Sequence, residues 1–161
     1  MHTLTSKARC LPCASIRRRN CQKFLRTVDG ILDYITATAV RLSDAVLSPV
    51  KPTSVDLAHA IDTAKFIREM RKAYPNLLFM LFLNEAMPRR NISRDMPESI
   101  RQIMANLDRT FMLNAQIANS APVAEFFGTG RSVFEYAPRS AAATAYKKLT
   151  KEIVECLRNS A

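Results

Sequence analysis

The sequence predicts an α/β domain: a partial, mostly parallel sheet with flanking helices. Three stretches predict it. Ala45-Val46-Leu47-Ser48-Pro49-Val50 is a short apolar run that leads into the turn Lys51-Pro52-Thr53-Ser54. A long amphipathic segment follows, and a second apolar run, Leu77 to Leu83, ends on Asn84. Strand, loop, helix and strand in that order are the unit from which parallel sheets are built.

Residues 1–28 show no hydrophobic periodicity and read as an arm, disordered or partly helical; residues 29–161 read as the α/β domain. Asp29 to Leu42 suits a helix, with Ile31, Ile35 and Leu42 at helical spacing. Ala45–Val50 is a buried strand, stopped by Pro49 and Pro52, neither of which can donate to a ladder. Ser54 fits the N-cap of the next helix, with Asp56 in its first turn where negative charge suits the dipole. Leu57, Ile61, Ala64, Ile67, Met70 (or the stem of Arg71) and Tyr74 form its apolar stripe. Leu77–Leu83 lacks alternation, which predicts burial on both faces and a central position.

Met87-Pro88-Arg89-Arg90-Asn91 is a loop. Pro97 fits the first turn of a helix whose Ile100, Ile103, Met104 and Leu107 face the sheet. Phe111–Ile117 is a third strand. Asn119-Ser120-Ala121-Pro122 opens a short helix that stops at Gly128-Thr129-Gly130. Ser132–Tyr136 reads as a short extended piece, and Pro138–Leu157 as the last helix, with Ala142, Tyr146, Leu149 and Ile153 inward. A sheet reduced to these strands exposes an edge, and Leu77–Leu83 or Ala45–Val50 would be the hazard if bare.

Composition bounds the function classes. A chain of 161 residues with 48% hydrophobic and 24% charged residues is one globular domain. No apolar run approaches the roughly 18 residues of a membrane span. Net charge is +10. Lys7, Arg9, Arg17, Arg18, Arg19, Lys23 and Arg26 put +7 of it before the first acid, Asp29, and leave +3 for the rest. Such a block makes nucleic acid the leading partner. Four cysteines, Cys10, Cys13, Cys21 and Cys156, are too few for a disulfide framework in this length. Cys10-Leu-Pro-Cys13 has the spacing of half a zinc site, but His2 and His59 do not supply the other half. Two histidines also exclude any credible hydrolytic triad, and no paired carboxylates stand out.

Taken in order, the strand, Pro49-x-x-Pro52-x-x-x-Asp56, the helix, the apolar strand, Asn84 and the basic loop resemble the C-terminal half of ParA-type partition ATPases. The distal half is similar too: Ile117-Ala-Asn-Ser-Ala-Pro-Val-Ala-Glu125, Gly130-Arg-Ser-Val-Phe-Glu-Tyr136, then Ala145-Tyr146-Lys-Lys-Leu149 and Lys151-Glu152-Ile153. The resemblance covers about residues 40–157. It implies a P-loop NTPase-like fold of the ParA/MinD class with a deviant phosphate loop, N-terminally truncated here. Members of that class bind ATP and magnesium, dimerise, and bind DNA non-specifically. A ParB-like centromere-bound partner stimulates hydrolysis, which drives plasmid partition or chromosome segregation.

The departures are specific. A P-loop needs closely spaced glycines followed by Lys and Ser or Thr. Gly30, Gly128 and Gly130 are the three glycines, and none precedes a lysine. Asp29 and Asp33 are nearest to the position of the magnesium-associated Asp, but no apolar run leads into them. The expectation is a partition protein unable to hydrolyse ATP alone, with no cofactor for this chain by itself. By the resemblance, Asn84 would read the adenine edge, with Ala118 and Asn119 on the other side of the base; Asn84 could equally serve only to end its strand. Arg89 and Arg90 are the candidate DNA contacts in the body, and Arg17, Arg18 and Arg19 in the arm, with Arg131, Arg139, Lys147 and Lys148 adding surface charge. The resemblance further implies a homodimer, or pairing with an intact ParA-like protein, in the cytoplasm and on the nucleoid where DNA is bound. The alternative is a small non-enzymatic basic DNA-binding or protein-interaction module built on the same fold.

Overall fold

A computed structural model describes residues 25–27, 34–87 and 89–160. Its centre is β3 (Leu78–Ala86), flanked in a parallel sheet by β2 (Ala45–Val50) and β4 (Thr110–Ala118), with the three-residue β1 (Leu25–Thr27) beyond β2. The strand order β1-β2-β3-β4 follows the chain. The crossovers carry α1 (Tyr34–Arg41), α2 (Ser54–Met70) and α3 (Asn91–Met104). After β4 come α4 (Ala121–Thr129), the single turn α5 (Val133–Tyr136) and the long α6 (Ala141–Asn159).

The uninterrupted apolar run of β3 is explained by two cores. Phe79, Leu81 and Leu83 join Val46 and Val50 beneath Val40 of α1, Ala60, Ala64 and Ile67 of α2, and Met96, Ile100 and Met104 of α3. Leu78, Met80 and Phe82 point the other way and join Leu113, Ala115 and Ile117 of β4 with Leu149 and Ile153 of α6. One face takes all three crossover helices, as follows when each step to the next strand has the same direction and hand. Each of these large side chains contributes about 1.5–3 kcal/mol by burial. β4 buries only Leu113, Ala115 and Ile117 and leaves Phe111 and Asn114 exposed, the alternation of an edge strand. The edges are therefore β4 and β1; Leu77–Leu83 lies inside the sheet, whereas β1 covers only Ala45–Leu47 of β2.

Several local expectations are corrected. Leu25–Thr27, read with the arm, pairs in parallel with Ala45–Leu47. Pro49 does not stop β2: it pairs with Phe82, beyond the last residue matched by β1, where a missing N–H disturbs no described ladder. The cap of α2 is Thr53 and not Ser54; its hydroxyl accepts the Asp56 N–H at 3.1 Å and donates to the Asp56 carboxylate. Pro97 sits inside α3, because the helix begins six residues earlier at Asn91. Ser132–Tyr136 is helical from Val133, held by a capping box in which Ser132 Oγ accepts the Glu135 N–H and the Glu135 carboxylate accepts the Ser132 N–H at 2.8 Å. Gly130 closes α4 at φ 66°, the left-handed position that favours glycine.

Candidate functional site

The carboxyl ends of parallel strands share one edge of a sheet, the usual place for α/β ligands. Here that edge gathers Val50 and Lys51 after β2, Asn84 to Ala86 at the end of β3, and Ala118 to Ser120 after β4. Val50 pairs with Leu83, Ala86 pairs with Ala118, and the Asn119 N–H donates to the Ala86 carbonyl at 3.1 Å. Asn84, Ala118 and Asn119 are thus brought to neighbouring positions. Asn84 is partly exposed, and its amide makes no hydrogen bond among the described residues.

The backbone at Asn84 is irregular. Between the pairs Leu83–Gln116 and Ala86–Ala118, β3 spends Asn84 and Glu85 where β4 spends only Ile117. The bulge carries Glu85 at φ 53°, a left-handed conformation that costs a β-substituted residue strain. Glu85 is held there by an ion pair with Lys51 at 2.9 Å, both side chains about half exposed. A bulge at a strand's end re-aims side chains, and such features concentrate at binding sites.

The following loop turns into α3. The Ser93 hydroxyl, buried, accepts the Met87 N–H at 3.0 Å, and the Arg90 N–H donates to the Met87 carbonyl at 2.9 Å. Arg89 and Arg90 are exposed, and Arg90 holds the N-cap position with no side-chain cap. The first turn of α3 carries no acid. Two cations at the positive end of a helix leave local charge that an anion would relieve. Arg94 is compensated, by Asp95 at 3.2 Å and the Asn91 side-chain carbonyl at 3.2 Å.

The other nominated cations follow β4 in the chain. Arg131, Arg139 and Lys148 are exposed, and Lys147 Nζ lies 5.9 Å from the Phe134 ring centroid. Arg17, Arg18 and Arg19, like Cys10, Cys13, Asp29 and Asp33, lie outside the described residues. Among those described, no group of three or more His, Cys, Asp or Glu could hold a metal, and no helix is long and apolar enough to cross a membrane. A cavity of about 490 Å³ opens at the opposite, amino-terminal edge, between Arg41–Asp44 and Ala73–Leu77. It is well removed from Asn84.

Sequence reasoning missed the residue that binds this opposite edge together. Arg71, expected at most to lend its stem to the stripe of α2, donates through Nε to the Leu77 carbonyl at 2.9 Å and through Nη1 to Thr110 Oγ1 at 3.1 Å. Its Nη2 donates to the Arg109 carbonyl at 2.7 Å. Burial lowers its pKa, and neighbouring Arg109 lowers it further. Nothing in the spacing marks Arg71 out from Arg68 or Lys72, because two of its three acceptors, the Thr110 hydroxyl and the Arg109 carbonyl, lie nearly forty residues away.

The chain matches no protein-family model, and no curated protein is significantly similar to it.

Proposed function

We propose that this chain is a ParA-like partition protein that binds DNA without sequence preference and does not hydrolyse ATP by itself. The observation that carries this reading is the conjunction at one sheet edge. The ordered motif Pro49-x-x-Pro52-x-x-x-Asp56 … Asn84 … Ala118-Asn119 falls on the carboxyl ends of consecutive parallel strands, and Arg89 and Arg90, exposed and in no ion pair among the described residues, follow at the start of α3. An asparagine amide offers a donor and an acceptor together, which suits an adenine edge. The missing glycine-lysine phosphate loop removes the groups that would stabilise charge during phosphoryl transfer. In this reading a second ParA-like subunit and a ParB-like centromere-binding protein are the partners.

Anisotropy of a labelled duplex of arbitrary sequence tests the DNA half. Affinity should fall with salt, and replacing Arg89 and Arg90 together by Ala should weaken every duplex alike. Each lost phosphate contact should lower the log–log salt slope by about 0.9. Binding that is salt-independent or indifferent to the double substitution would refute it. Thermal melts with and without magnesium-ATP test the nucleotide half. A midpoint raised by ATP and returned by Asn84→Ala supports a retained base pocket. DNA binding with no response to ATP would leave the small non-enzymatic basic module as the better description.

A further inference from the structure

We infer that Phe134 and the cations around α5 and α6 form a platform for single-stranded nucleic acid, with a base stacked on the Phe134 ring. It uses none of Asn84, Arg89 or Arg90. Residues 131–151 carry five cations, Arg131, Arg139, Lys147, Lys148 and Lys151, against one acid, Glu135, a balance of +4. Everything else from Asp29 onward holds twelve cations and thirteen acids, a balance of −1. The net positive charge of the α/β body is therefore concentrated on this one stretch, and a polyanion is its complementary partner.

The fold turns that charge outward. α6 buries Ala142, Ala143, Leu149 and Ile153 and leaves Lys147, Lys148 and Lys151 exposed. Arg131 and Arg139 are exposed on either side of α5 in the chain. Arg131, Arg139, Lys147 and Lys148 make no ion pair among the described residues, while Lys151 reaches Glu155 at 3.9 Å. The one acid, Glu135, is engaged by the Ser132 N–H and hydroxyl, each at 2.8 Å.

The ring selects a single strand among polyanions. Val133 anchors α5 by its burial, and the next residue, Phe134, is 42% exposed. Lys147 Nζ lies over the ring, 5.9 Å from its centroid, on a side chain that is itself exposed. The ring thus presents a face, and not only an edge, to a flexible and replaceable cation. A base can take that place while the ammonium turns to the adjoining phosphate, so one pair of residues meets both parts of a nucleotide. In a duplex the base faces are already stacked on one another, and a single strand leaves them free. Tyr136 does not serve in the same way. Its hydroxyl donates to the Glu125 carboxylate at 2.7 Å, a charge that repels phosphate.

The test uses the full chain and fluorescence anisotropy with short labelled oligothymidylate and oligouridylate, and a DNA duplex of equal length. The +7 of residues 1–28 draws any polyanion, so dependence on the ring decides the outcome. Phe134→Ala should weaken both single strands about 5- to 140-fold, the loss of one stacked base, and the duplex by less than about twofold. Phe134→Leu, apolar but without a ring, should lose as much, and Phe134→Tyr should keep the wild-type affinity. Lys147→Ala and Lys148→Ala should each lower the log–log salt slope for a single strand by about 0.7. Phe134-dependent binding of either oligomer supports the inference, and the tighter of the two identifies DNA or RNA as the strand. Replacing Arg89 and Arg90 together by Ala should leave the Phe134 effect in place, which separates this platform from the duplex contact. Full affinity in a cooperatively melting Phe134→Leu, or equal weakening of single strand and duplex, would overturn the inference. So would poly-glutamate that binds as tightly as the oligomers, which would make the patch a contact for an acidic protein.

Discussion

Arg71→Met removes the guanidinium that ties the end of α2 to the starts of β3 and β4 while keeping an apolar stem of similar length. Three hydrogen bonds from a charged donor, at 2.9, 3.1 and 2.7 Å, would sum to about 4.5–9 kcal/mol if each had the usual 1.5–3 kcal/mol value. The surroundings argue for less. The Arg109 carbonyl keeps the Phe79 N–H at 3.0 Å, and the Thr110 hydroxyl keeps the Asp108 carbonyl at 3.3 Å. Only the Leu77 carbonyl, on a buried residue, is given no second donor. Removing Arg71 also relieves its repulsion with Arg109. The expected loss is about 2–4 kcal/mol, or roughly 5–15 °C in Tm for a chain of this size. Urea denaturation followed by far-UV circular dichroism should show a lower midpoint with an unchanged slope. Arg71→Lys, able to replace one bond of the three, should fall between. A loss below about 0.5 kcal/mol, the level of an ordinary surface substitution, would refute the clamp.

Two serines that begin helices should behave oppositely. Ser140 accepts the Ala143 N–H at 3.1 Å at the start of α6, so Ser140→Ala should cost about 1 kcal/mol in urea, whereas the buried Ser120 hydroxyl has no partner among the described residues and makes no cap hydrogen bond, so Ser120→Ala should be neutral or mildly stabilising. At φ 53°, Glu85→Val should cost about 1–2 kcal/mol and Glu85→Gly clearly less, since β-branching adds to the strain that Glu85 already bears and glycine is free of it. The Ser132 N–H and hydroxyl hold the Glu135 carboxyl below its ordinary 4.5. A depressed acid stabilises the folded chain above its unfolded pKa, and that contribution is lost as pH falls below about 4.5 and through the folded value. Carbon-13 NMR titration should place Glu135 below the ordinary value, and Ser132→Ala should return it upward.

The elements of this fold were legible wherever burial dictated residue type. β3 reads as central because both its faces meet apolar cores, and α2 and α6 read from their stripes. What escaped the sequence was contact between distant polar groups: Arg71 with Leu77 and Thr110, Glu152 with Asn114. Hydrogen bonds to main-chain atoms leave no periodic trace in residue type. The turn at Val133 escaped for a different reason. Val133, Phe134 and Tyr136 favour strands by propensity, and the Ser132–Glu135 capping box overrides them. At the candidate site, the family resemblance brought Asn84, Ala118 and Asn119 forward, but the bulge beside Asn84 depends on register, which no local pattern specifies.

The division of the sheet between its two sides also has a consequence during synthesis. A ribosome releases β2, α2, β3, α3 and β4 in the order in which they pack, so the face bearing Phe79, Leu81 and Leu83 can close as the chain emerges. The face bearing Leu78, Met80 and Phe82 meets Leu149 and Ile153 only once α6 has been made. Until then the nascent chain exposes an apolar surface beside an uncharged edge strand, the circumstance in which holding chaperones are needed. Slowing translation just before α6 should therefore lower the soluble yield of this protein more than an equal pause between α2 and β3.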